Sequence, residues 1–280
     1  MKIIFFGEDV FSSIVLKSLI ESHFKIIEVH TPFYDNLIYK KLENVCLVNS
    51  INFERIHDFK SIVYAERLKL LSPDIIAICH FQKLLPKSII AIANIAVINL
   101  HPSLLPKYRG MSPQHWPLIN GDSKTGISIH LVDEGTDTGD IILQEEIEIK
   151  ENDYVSNLQE RFKEIYKFIY PKALNKFIEN PECAMKQIHS NSTYFGRLRI
   201  SDCTLNLGMT VNEAYNMIRA VSKPYFGARL NDLIIWKACI TQNDKLFQTN
   251  KIGLYISEGS NPLLILNDGI LEITNYEYEK

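Results

Sequence analysis

The sequence of 280 residues lacks several features that would assign it to a class at once. It has no apolar run of the roughly 18 residues that a membrane-spanning helix needs. The N-terminal run MKIIFFG is followed at once by Glu8 and Asp9, so it predicts a buried strand and not a signal peptide. Basic residues number 30 against 33 acidic residues, without the basic excess of most nucleic-acid-binding proteins. We expect a soluble cytoplasmic protein that binds neither membrane nor nucleic acid.

Cysteine is also scarce. The five cysteines are widely scattered and include no C-x-x-C pair: Cys46, Cys79, Cys183, Cys203 and Cys239. An odd number without close spacing is typical of neither a disulfide framework nor a zinc cage. We predict free, buried thiols.

Short apolar runs alternate with helical stretches in the first two thirds of the chain. The runs are KIIFF, KIIEVHTP, DIIAICH and AVINLH, and the first helix is predicted from about Val10 to Ser22. Fully apolar strands separated by helices predict βαβ units and a mostly parallel sheet that is covered on both faces. The stretch 154–177, apolar at helical spacing, predicts one long helix that closes this domain.

The pattern changes after Ile178. A helix is predicted from about Val211 to Val221, and from Ile234 onward the segments are short and strand-like. LLILNDGILEIT, with its Asn-Asp-Gly turn, predicts a hairpin. The predicted fold is therefore α/β: a Rossmann-like, mostly parallel sheet domain over residues 1–187, followed by a smaller α+β or β-rich C-terminal domain over residues 188–280.

The turn after the first strand, FFGEDVF, stands where a dinucleotide-binding fingerprint would lie. Only Gly7 of the G-x-G-x-x-G pattern is present. The backbone could therefore not approach a pyrophosphate as that fingerprint requires. We predict a strand-turn-helix unit that binds no dinucleotide.

Two polar side chains end the apolar run AVINLH. If the run is a strand, Asn99 and His101 project from the same face, at the carboxyl end where open α/β sheets bind ligands. An asparagine amide can donate to a developing oxyanion, and a histidine can accept a proton near neutral pH. The pair would suit acyl transfer. These residues alone leave open a structural role, with Asn99 capping the strand and His101 a hydrogen-bonded core histidine.

A second polar segment, GISIHLVDEGTDTGDIILQEEI, predicts two strands joined by an acidic loop. The loop holds four carboxylates around two glycines: Asp133, Glu134, Asp137 and Asp140 with Gly135 and Gly139. One carboxylate could reach the sheet edge and orient the imidazole of His101. A divalent-metal loop is the alternative, but the acidic spacing does not match an EF-hand. We therefore predict no metal.

These two motifs carry a family resemblance. NLHPSLLPKYRG, at residues 99–110, and DEGTDTGDI, from Asp133, resemble the folate-dependent formyltransferases, which act on methionyl-tRNA, glycinamide ribonucleotide or amino sugars. The segments STYFGRLRISD and NMIRAVSKPYFGA resemble the second domain shared by methionyl-tRNA formyltransferase and the formyltransferase half of the enzyme that modifies UDP-4-amino-arabinose. The resemblance covers nearly the whole chain.

The resemblance implies roles for particular residues. The donor would be N10-formyltetrahydrofolate, and the acceptor would be an amine. Asn99 would donate to the oxyanion, His101 would act as general base, and Asp137 would hold His101 and assist proton transfer. The folate would lie between residues 80–86 and the acidic loop, with contacts from Phe81, Gln82, Leu84, Leu85, Asp133, Gly135 and Asp140.

The acceptor is predicted from what the chain lacks relative to the tRNA enzymes, which carry a basic insertion after the second strand and a basic C-terminal barrel. The corresponding insertion here offers only Lys40 and Lys41, and residues 201–280 hold seven basic and nine acidic residues. After the Arg-Gly pair the chain reads Met-Ser-Pro where the tRNA enzymes commonly have Ala-Ala-Pro. We therefore expect an N-formyltransferase acting on a nucleotide-linked 4-amino-deoxysugar.

UDP is expected rather than dTDP, and the resemblance implies a step in the biosynthesis of bacterial surface glycans such as lipopolysaccharide. The candidate acceptor contacts are Ser103, Arg109, Gly110, Met111, Tyr194, Arg197, Tyr225 and Phe226, with Arg199 as a further candidate for the diphosphate. The arginines and aromatics could equally form surface ion pairs or an ordinary domain interface. A methionyl-tRNA formyltransferase is the alternative function, and a non-catalytic folate-binding protein is a more distant one. A homodimer is compatible with the resemblance.

Overall fold

The computed structural model describes residues 1–241 and 251–279. The chain divides into two compact units, each assembled from three segments. The first unit comprises residues 1–110, 126–146 and 161–194, and the second comprises residues 111–125, 147–160 and 195–280. The boundary at residue 187, which treats each domain as one continuous segment, stays a prediction.

The first unit is built on a seven-stranded sheet. Its strands are β1 (Lys2–Gly7), β2 (Lys25–Pro32), β3 (Asn52–Ile56), β4 (Ile75–Cys79), β5 (Ala96–His101), β7 (Lys124–Leu131) and β8 (Ile141–Glu148), and a short strand β6 (Arg109–Gly110) lies outside it. Its helices are α1 (Val10–Glu21), α2 (Lys40–Val48), α3 (Ile62–Leu71), α4 (Lys87–Ile90) and α7 (Ile169–Glu179), and helix α6 (Val155–Tyr166) begins in the second unit and ends in the first.

The strand order is β3-β2-β1-β4-β5-β7-β8. Strands β1 to β5 run parallel to one another, and β7 runs antiparallel to β5. The first four predicted strands and the first helix are confirmed. The mostly parallel α/β architecture is also confirmed.

Burial on both faces explains why the central strands read as continuous apolar runs. All five residues of β4 are buried. One face of the sheet packs into a cluster whose members come from strands β1, β4 and β5, from helices α3 and α4 and from the turn before α3: Ile4, Phe6, Ile76, Ile78, Val97, Tyr64, Leu68, Ile89 and Phe59. This packing sets the carboxyl ends of the parallel strands side by side at one edge.

The long helix predicted over residues 154–177 is wrong. The segment forms two helices, α6 and α7, separated by Lys167 and Phe168. Pro171 lies in the first turn of α7, where its missing N–H needs no partner. In a continuous helix the same proline would leave the carbonyl of Lys167 without its hydrogen bond. The proline therefore favours a new helix start over a helix interior.

Helix α7 inserts a tyrosine hydroxyl between two strands. The Tyr170 side chain is fully buried, and its hydroxyl accepts a hydrogen bond from the Ile78 N–H at 3.0 Å and donates to the Ile98 carbonyl at 2.6 Å. The hydroxyl therefore links β4 to β5 one residue before Asn99.

Tyr170→Phe should lower the free energy of unfolding by about 2 kcal/mol, because it leaves a buried N–H and a buried carbonyl without this partner. Urea unfolding would measure the change. Tyr278→Phe is the control, since that ring is 52% exposed, and it should change stability by less than about 0.5 kcal/mol. Equal losses in the two variants would contradict the bridging role.

The second unit centres on an antiparallel sheet. Its strands are β10 (Ala228–Leu230), β11 (Leu233–Thr241), β12 (Gly253–Tyr255), β13 (Leu263–Leu266) and β14 (Gly269–Tyr278), in the order β10-β11-β14-β13-β12. Its helices are the short α5 (Trp116–Ile119) and α8 (Val211–Val221), and the two-residue strand β9 (Tyr194–Phe195) begins at its border. The hairpin and the 211–221 helix are confirmed, as is the β-rich character of the C-terminal part.

Thr210 explains the start of α8. Its hydroxyl accepts a hydrogen bond from the Glu213 N–H, and the Glu213 carboxylate accepts one from the Thr210 N–H. This reciprocal capping box satisfies two backbone donors that the first turn leaves unpaired. The boundary is therefore encoded locally.

The structure describes all five cysteines, and all are free. Cys46, Cys79 and Cys203 are buried as predicted, whereas Cys239 is exposed and Cys183 is partly exposed. Among residues 1–241 and 251–279 no helix combines the length and the apolar character needed to cross a membrane.

Candidate active site

The predicted catalytic residues meet at the carboxyl edge of the parallel sheet. Asn99 and His101 lie on β5, and Asp137 lies in the loop between β7 and β8. The antiparallel register sets Asn99 opposite His130 of β7. All of these residues belong to the first unit.

His101 is held as a neutral base. Its Nε2 lies 2.8 Å from the carbonyl oxygen of Tyr108, which can only accept, so the proton of the neutral ring is on Nε2. The lone pair on Nδ1 then faces the Asp137 carboxylate, at 3.6 Å from Oδ2. Burial lowers the pKa of His101 below its usual value, although Asp137 acts in the opposite sense. The ring can therefore accept a proton at neutral pH and share the resulting charge with Asp137.

Asp137 is nearly buried and remains ionised. Burial alone would raise its pKa, but the neighbouring imidazoles of His101 and His130 and the N–H of Gly110 hold that pKa well below its usual range. The Gly110 N–H donates to Oδ2 at 2.9 Å. Asp137 also has a left-handed backbone, with φ at +53°, a conformation that aspartate tolerates better than most residues.

Asn99 offers its amide nitrogen to the same centre. Nδ2 lies 3.1 Å from Nε2 of His130 and 3.5 Å from Oδ1 of Asp137. The second contact is at the outer limit of a hydrogen bond. One amide hydrogen therefore forms a good hydrogen bond with His130. The other forms only a weak one with Asp137, so it is available to donate to a substrate oxygen instead.

His130 is a site residue that the sequence analysis did not single out. It is 2% exposed, its Nδ1 donates to the Leu131 carbonyl at 2.7 Å, and its Nε2 faces Asn99 and Asp137. A carbonyl can only accept, so Nδ1 carries the hydrogen and Nε2 accepts from Asn99. The alternation of GISIHL, with this histidine two residues after Ser128, was the available signal.

The segment predicted to face the folate packs against the apolar cluster of the sheet. The ring of Phe81 meets those of Phe6 and Phe59 edge-on, at centroid distances of 5.4 and 5.3 Å. Leu85 and Val132 pack against the same cluster. Residues from the 80–86 segment and from the strand leading into the acidic loop therefore share one apolar wall.

The acidic loop lies beside this segment. Lys87, at the start of α4, pairs with Glu134 at 2.7 Å. The loop is shaped by Asp133, whose carboxylate accepts hydrogen bonds from the Gly135 N–H at 3.0 Å and from the Thr138 hydroxyl.

The remaining predicted folate contacts lie in these two segments. The Gln82 N–H donates to the Glu8 carboxylate, Leu84 is 84% exposed, and the Asp140 carbonyl accepts from the Leu131 N–H at 2.9 Å. Their contact with folate stays a proposal.

The turn between β1 and α1 contains two adjacent acidic residues, Glu8 and Asp9. Asp9 caps α1 by accepting from the N–H groups of Phe11 and Ser12, at 2.9 and 3.0 Å. It also lies 3.1 Å from Nδ1 of His80, whose Nε2 contacts the Tyr166 hydroxyl at 2.8 Å. The helix N-terminus that would receive a pyrophosphate is thus occupied by a carboxylate of the chain itself.

Glu8, beside this cap, is 1% exposed. Burial raises its pKa from the usual 4.5 to about 7. Below pH 4.5 the carboxyl group is neutral in the folded and unfolded chain alike. As pH rises from 4.5 to about 7, only the unfolded chain ionises readily, so the free energy of unfolding falls through this window.

Glu8→Gln should remove this loss. At pH 8 the variant should be more stable than the parent by about 3 kcal/mol, because the carboxyl pKa rises from 4.5 to about 7 on folding and each pKa unit corresponds to about 1.4 kcal/mol. At pH 4.5 this gain should vanish. Thermal unfolding across the pH range would measure it, with exposed Glu21→Gln as the control. A gain that is the same at both pH values would show that burial of a charge is not its cause.

Arg109, a predicted diphosphate contact, is buried and hydrogen-bonded within the chain. Its side chain is 1% exposed, and the guanidinium donates to Oε1 of Gln187 from Nε at 3.1 Å and from Nη2 at 2.5 Å, and to the Tyr194 hydroxyl at 2.6 Å. A fourth contact, of 3.2 Å, joins it to Nδ1 of His189. Because its donors are used within the first unit, we propose no substrate contact for it.

Three further predicted acceptor residues lie in the first unit. Ser103 is fully buried, and its hydroxyl donates to the Lys107 carbonyl at 2.8 Å, so it supports the loop and offers no free surface. Gly110 donates its N–H to Asp137, as described. Tyr194 is 57% exposed beyond its bond to Arg109 and stays a candidate.

The other four predicted acceptor residues belong to the second unit: Met111, Arg197, Tyr225 and Phe226. The Met111 N–H donates to the Phe195 carbonyl at 2.9 Å. The Tyr225 hydroxyl accepts from Gln114 at 2.9 Å. Arg197 is exposed and Phe226 is partly exposed. Contact of these four with a substrate stays a proposal.

Within the part of the chain that the structure describes, no group of three or more histidine, cysteine, aspartate or glutamate side chains is arranged to hold a metal ion. The site therefore presents a neutral imidazole, an ionised carboxylate and an amide donor, together with a second imidazole. This set can accept one proton and stabilise one oxyanion, as acyl transfer to an amine requires.

Known proteins are similar to this chain to different degrees. A family model described as formyl transferase matches residues 1–174. The methionyl-tRNA formyltransferase of Fusobacterium nucleatum is 32% identical over 288 residues, which cover 100% of this chain and 93% of that protein. The bifunctional polymyxin resistance protein ArnA of Wigglesworthia glossinidia brevipalpis is 32% identical over 86% of this chain and 38% of its own length.

Two solved structures have the same fold over nearly their whole length. The first is WlaRD, a sugar 3N-formyltransferase crystallised with dTDP and 5-N-formyl-THF, with a TM-score of 0.78 and 23% identity over 98% of both chains. The second is the N-formyltransferase of Helicobacter canadensis in complex with folinic acid and dTDP-3-aminofucose, with a TM-score of 0.78 and 23% identity over 99% of this chain and 100% of that one. With a family model that spans more than half of its residues and a full-length relative at 32% identity, the chain belongs to the formyl transferase family.

Proposed function

We propose that the protein transfers a formyl group from N10-formyltetrahydrofolate to the amine of an amino sugar carried by a nucleoside diphosphate. The observation that carries the proposal is the meeting of Asn99, His101 and Asp137 at the carboxyl edge of the sheet, in a chain whose two-unit fold matches sugar N-formyltransferases over nearly its whole length.

The residues beside the catalytic three suit a reduced folate. Phe81, Leu85 and Val132 form an apolar wall on which a flat heteroaromatic ring can pack. The loop 133–140 supplies backbone and carboxylate groups for the polar edge of such a ring. When bound, the folate supplies an activated formyl carbon, and the two solved structures named above were crystallised with formyl-folates.

Each of the three side chains has a separate role in the transfer. As the acceptor nitrogen forms its bond to the formyl carbon, negative charge develops on the formyl oxygen, and the Nδ2 hydrogen that Asn99 gives to Asp137 at 3.5 Å turns to that oxygen. The proton lost by the amine goes to Nδ1 of His101. Asp137 stabilises the imidazolium, and the proton then leaves to the departing nitrogen as the old C–N bond breaks.

The charge of the C-terminal part supports a small anionic acceptor. Residues 201–280 carry seven basic and nine acidic residues. A nucleoside diphosphate needs one or two cations, whereas a tRNA clamp depends on many phosphate contacts. Arg197 and Arg199, both exposed, remain candidates for the diphosphate.

Formylation of methionyl-tRNA is the second candidate function. It is favoured by the full-length relatives, since the methionyl-tRNA formyltransferases of Fusobacterium nucleatum and Clostridioides difficile are 32% and 30% identical to this chain. A non-catalytic folate-binding protein is a third candidate, which the complete set of Asn99, His101 and Asp137 disfavours.

An acceptor panel tests these functions. The purified protein would be incubated with N10-formyltetrahydrofolate and UDP- or dTDP-linked 3-amino and 4-amino sugars, or with methionyl-tRNA, and products would be followed by the mass gain of a formyl group. We expect transfer to one nucleotide-linked amino sugar. The resemblance of the second domain to the enzyme that modifies UDP-4-amino-arabinose favours UDP and position 4, whereas the two solved structures were crystallised with dTDP and with dTDP-3-aminofucose.

The outcomes separate the candidates. Transfer to methionyl-tRNA, with binding that weakens steeply as salt rises, would overturn the sugar proposal. Folate binding without transfer to any amine would support the third candidate. Transfer that survives unchanged in His101→Gln would overturn the assigned base whatever the acceptor.

A further inference from the structure

The side chain of Gln187 forms hydrogen bonds with the main chain of the acidic loop. Gln187 lies on the extended segment after α7, next to the backbone bridge between Ile141 and Met185. The side chain is buried, at 5% exposure. Its amide Nε2 donates two hydrogen bonds, to the carbonyl oxygens of Asp137 at 2.9 Å and Gly139 at 2.7 Å. One side chain therefore grips the loop on both sides of Thr138.

The other end of the same amide is held by Arg109. Oε1 accepts two hydrogen bonds from the guanidinium, as described above. Arg109 immediately precedes Gly110, whose N–H donates to the Asp137 carboxylate at 2.9 Å. Two consecutive residues thus fix Asp137 twice, once at its carboxylate and once, through Gln187, at its backbone carbonyl.

The hydrogen bonds from Gln187 are made to a part of the loop whose backbone conformation is restricted. Asp137 has φ at +53°, a region that costs energy for a residue with a side chain. Gly139 passes so close to β7 that a Cβ there would lie 1.9 Å from the Leu131 carbonyl oxygen. The direction of the Asp137 carboxylate, 3.6 Å from Nδ1 of His101, therefore depends on a backbone conformation that is unfavourable for a residue with a side chain.

We propose that Gln187, oriented by the buried Arg109, is a positioning residue that keeps the Asp137 carboxylate against His101. The chemistry of an amide fits this role, since it donates twice to the loop and accepts twice from the guanidinium. A carboxylate could not donate to the carbonyls, and an apolar side chain could do neither. The inference rests on the proposed roles of His101 and Asp137.

Gln187→Leu and Gln187→Glu test the proposal. Gln187→Leu keeps the volume and removes every hydrogen bond, whereas Gln187→Glu keeps the pairing with Arg109 and sets a carboxylate against two carbonyls. Each should lower kcat by about 10-fold to 100-fold, the range seen when outer partners of site residues are removed. The KM values for donor and acceptor should change little.

The pKa of His101, measured by NMR titration, distinguishes positioning from a loss of stability, because a loss of stability alone would leave that pKa unchanged. Because the Asp137 charge raises the pKa of His101 against the effect of burial, displacement of the carboxylate should lower that pKa further. Asp137→Asn should do the same, and the double variant Gln187→Leu/Asp137→Asn should show little additional change.

Gln144→Leu is the matched control. Gln144 also donates two hydrogen bonds through Nε2, to the Leu105 carbonyl at 2.9 Å and the Ser128 hydroxyl at 2.8 Å. Its loss should lower stability and leave the titration of His101 in place. If Gln187→Leu fails to fold, Gln187→Glu carries the test.

The results distinguish this inference from the proposed function. An unchanged His101 titration in the Gln187 variants, or additive effects with Asp137→Asn, would overturn the positioning role even if His101→Gln abolishes transfer. A lowered His101 pKa in variants that retain full kcat would support the positioning and overturn the catalytic role of the His101–Asp137 pair.

Discussion

His101→Gln should lower kcat by about 10³-fold, within the range for loss of a general base. The glutamine amide can still donate to the Tyr108 carbonyl, which now receives the Nε2 hydrogen at 2.8 Å, but it cannot take a proton from an amine. Steady-state kinetics with the acceptor identified by the panel would measure the loss. The KM for the folate should stay near that of the parent.

The pH dependence of kcat/KM in the parent protein also tests the role of His101 as the base. His101 must be neutral to act, and burial places its pKa below the usual 6.5. Consequently the decline of kcat/KM toward acid pH should have its midpoint below pH 6.5. A decline that begins well above pH 6.5 would assign the base to another group.

His30→Gln is the control for the loss of a buried histidine. His30 is fully buried in the same unit, its Nε2 lies 3.1 Å from Glu28, and its strand β2 is separated from the Asn99 strand β5 by β1 and β4. This variant should lose stability but keep kcat. If it loses as much kcat as His101→Gln, the effect reflects packing and not proton transfer.

Asn99→Ala should lower kcat by about 10²-fold to 10³-fold, the cost of removing one oxyanion donor. The charge on the formyl oxygen develops only in the transition state, so the dissociation constant for the folate should change little. Asn99→Asp is a stricter variant, because it keeps the shape, removes the donor and adds a charge that repels the oxyanion. It should be at least as impaired as Asn99→Ala.

Asn94→Ala supplies the matched control. Asn94 precedes β5, is exposed, and donates to the Ser72 hydroxyl at 3.2 Å. It should keep its kcat. An Asn99→Ala variant with a raised KM and an unchanged kcat would contradict the oxyanion role, because uniform binding would then have been lost instead of transition-state binding.

The sequence predicted the features that depend on local or periodic patterns. The buried strands β1, β2, β4 and β5 were recognisable because strands covered on both faces must be apolar throughout. Asn99 and His101 were recognisable because their spacing of two sets both on one face of a strand. The hairpin of β13 and β14 was marked by its Asn-Asp-Gly turn.

The predictions failed, or were incomplete, where a side chain's partner lies far along the chain. The helical spacing of apolar residues over 154–177 predicted one helix, and the break between α6 and α7 could be predicted only by giving Pro171 more importance than that spacing. Arg109 looked like a surface cation, but it is buried because residue 187, distant in sequence, accepts its hydrogen bonds. His130 joins the site through the pairing of β5 with β7, whereas the local alternation of GISIHL shows only which face of its strand it lies on.

By itself, the sequence determined the class of the fold and the chemical types gathered in the site, since strand periodicity and residue type are local properties. Only the tertiary structure decided the protonation of that site. It buries His101, keeps Asp137 ionised 3.6 Å away, and holds the Asp137 backbone through Gln187. The physical reason is that desolvation and hydrogen bonding act between groups that folding brings together from separate segments.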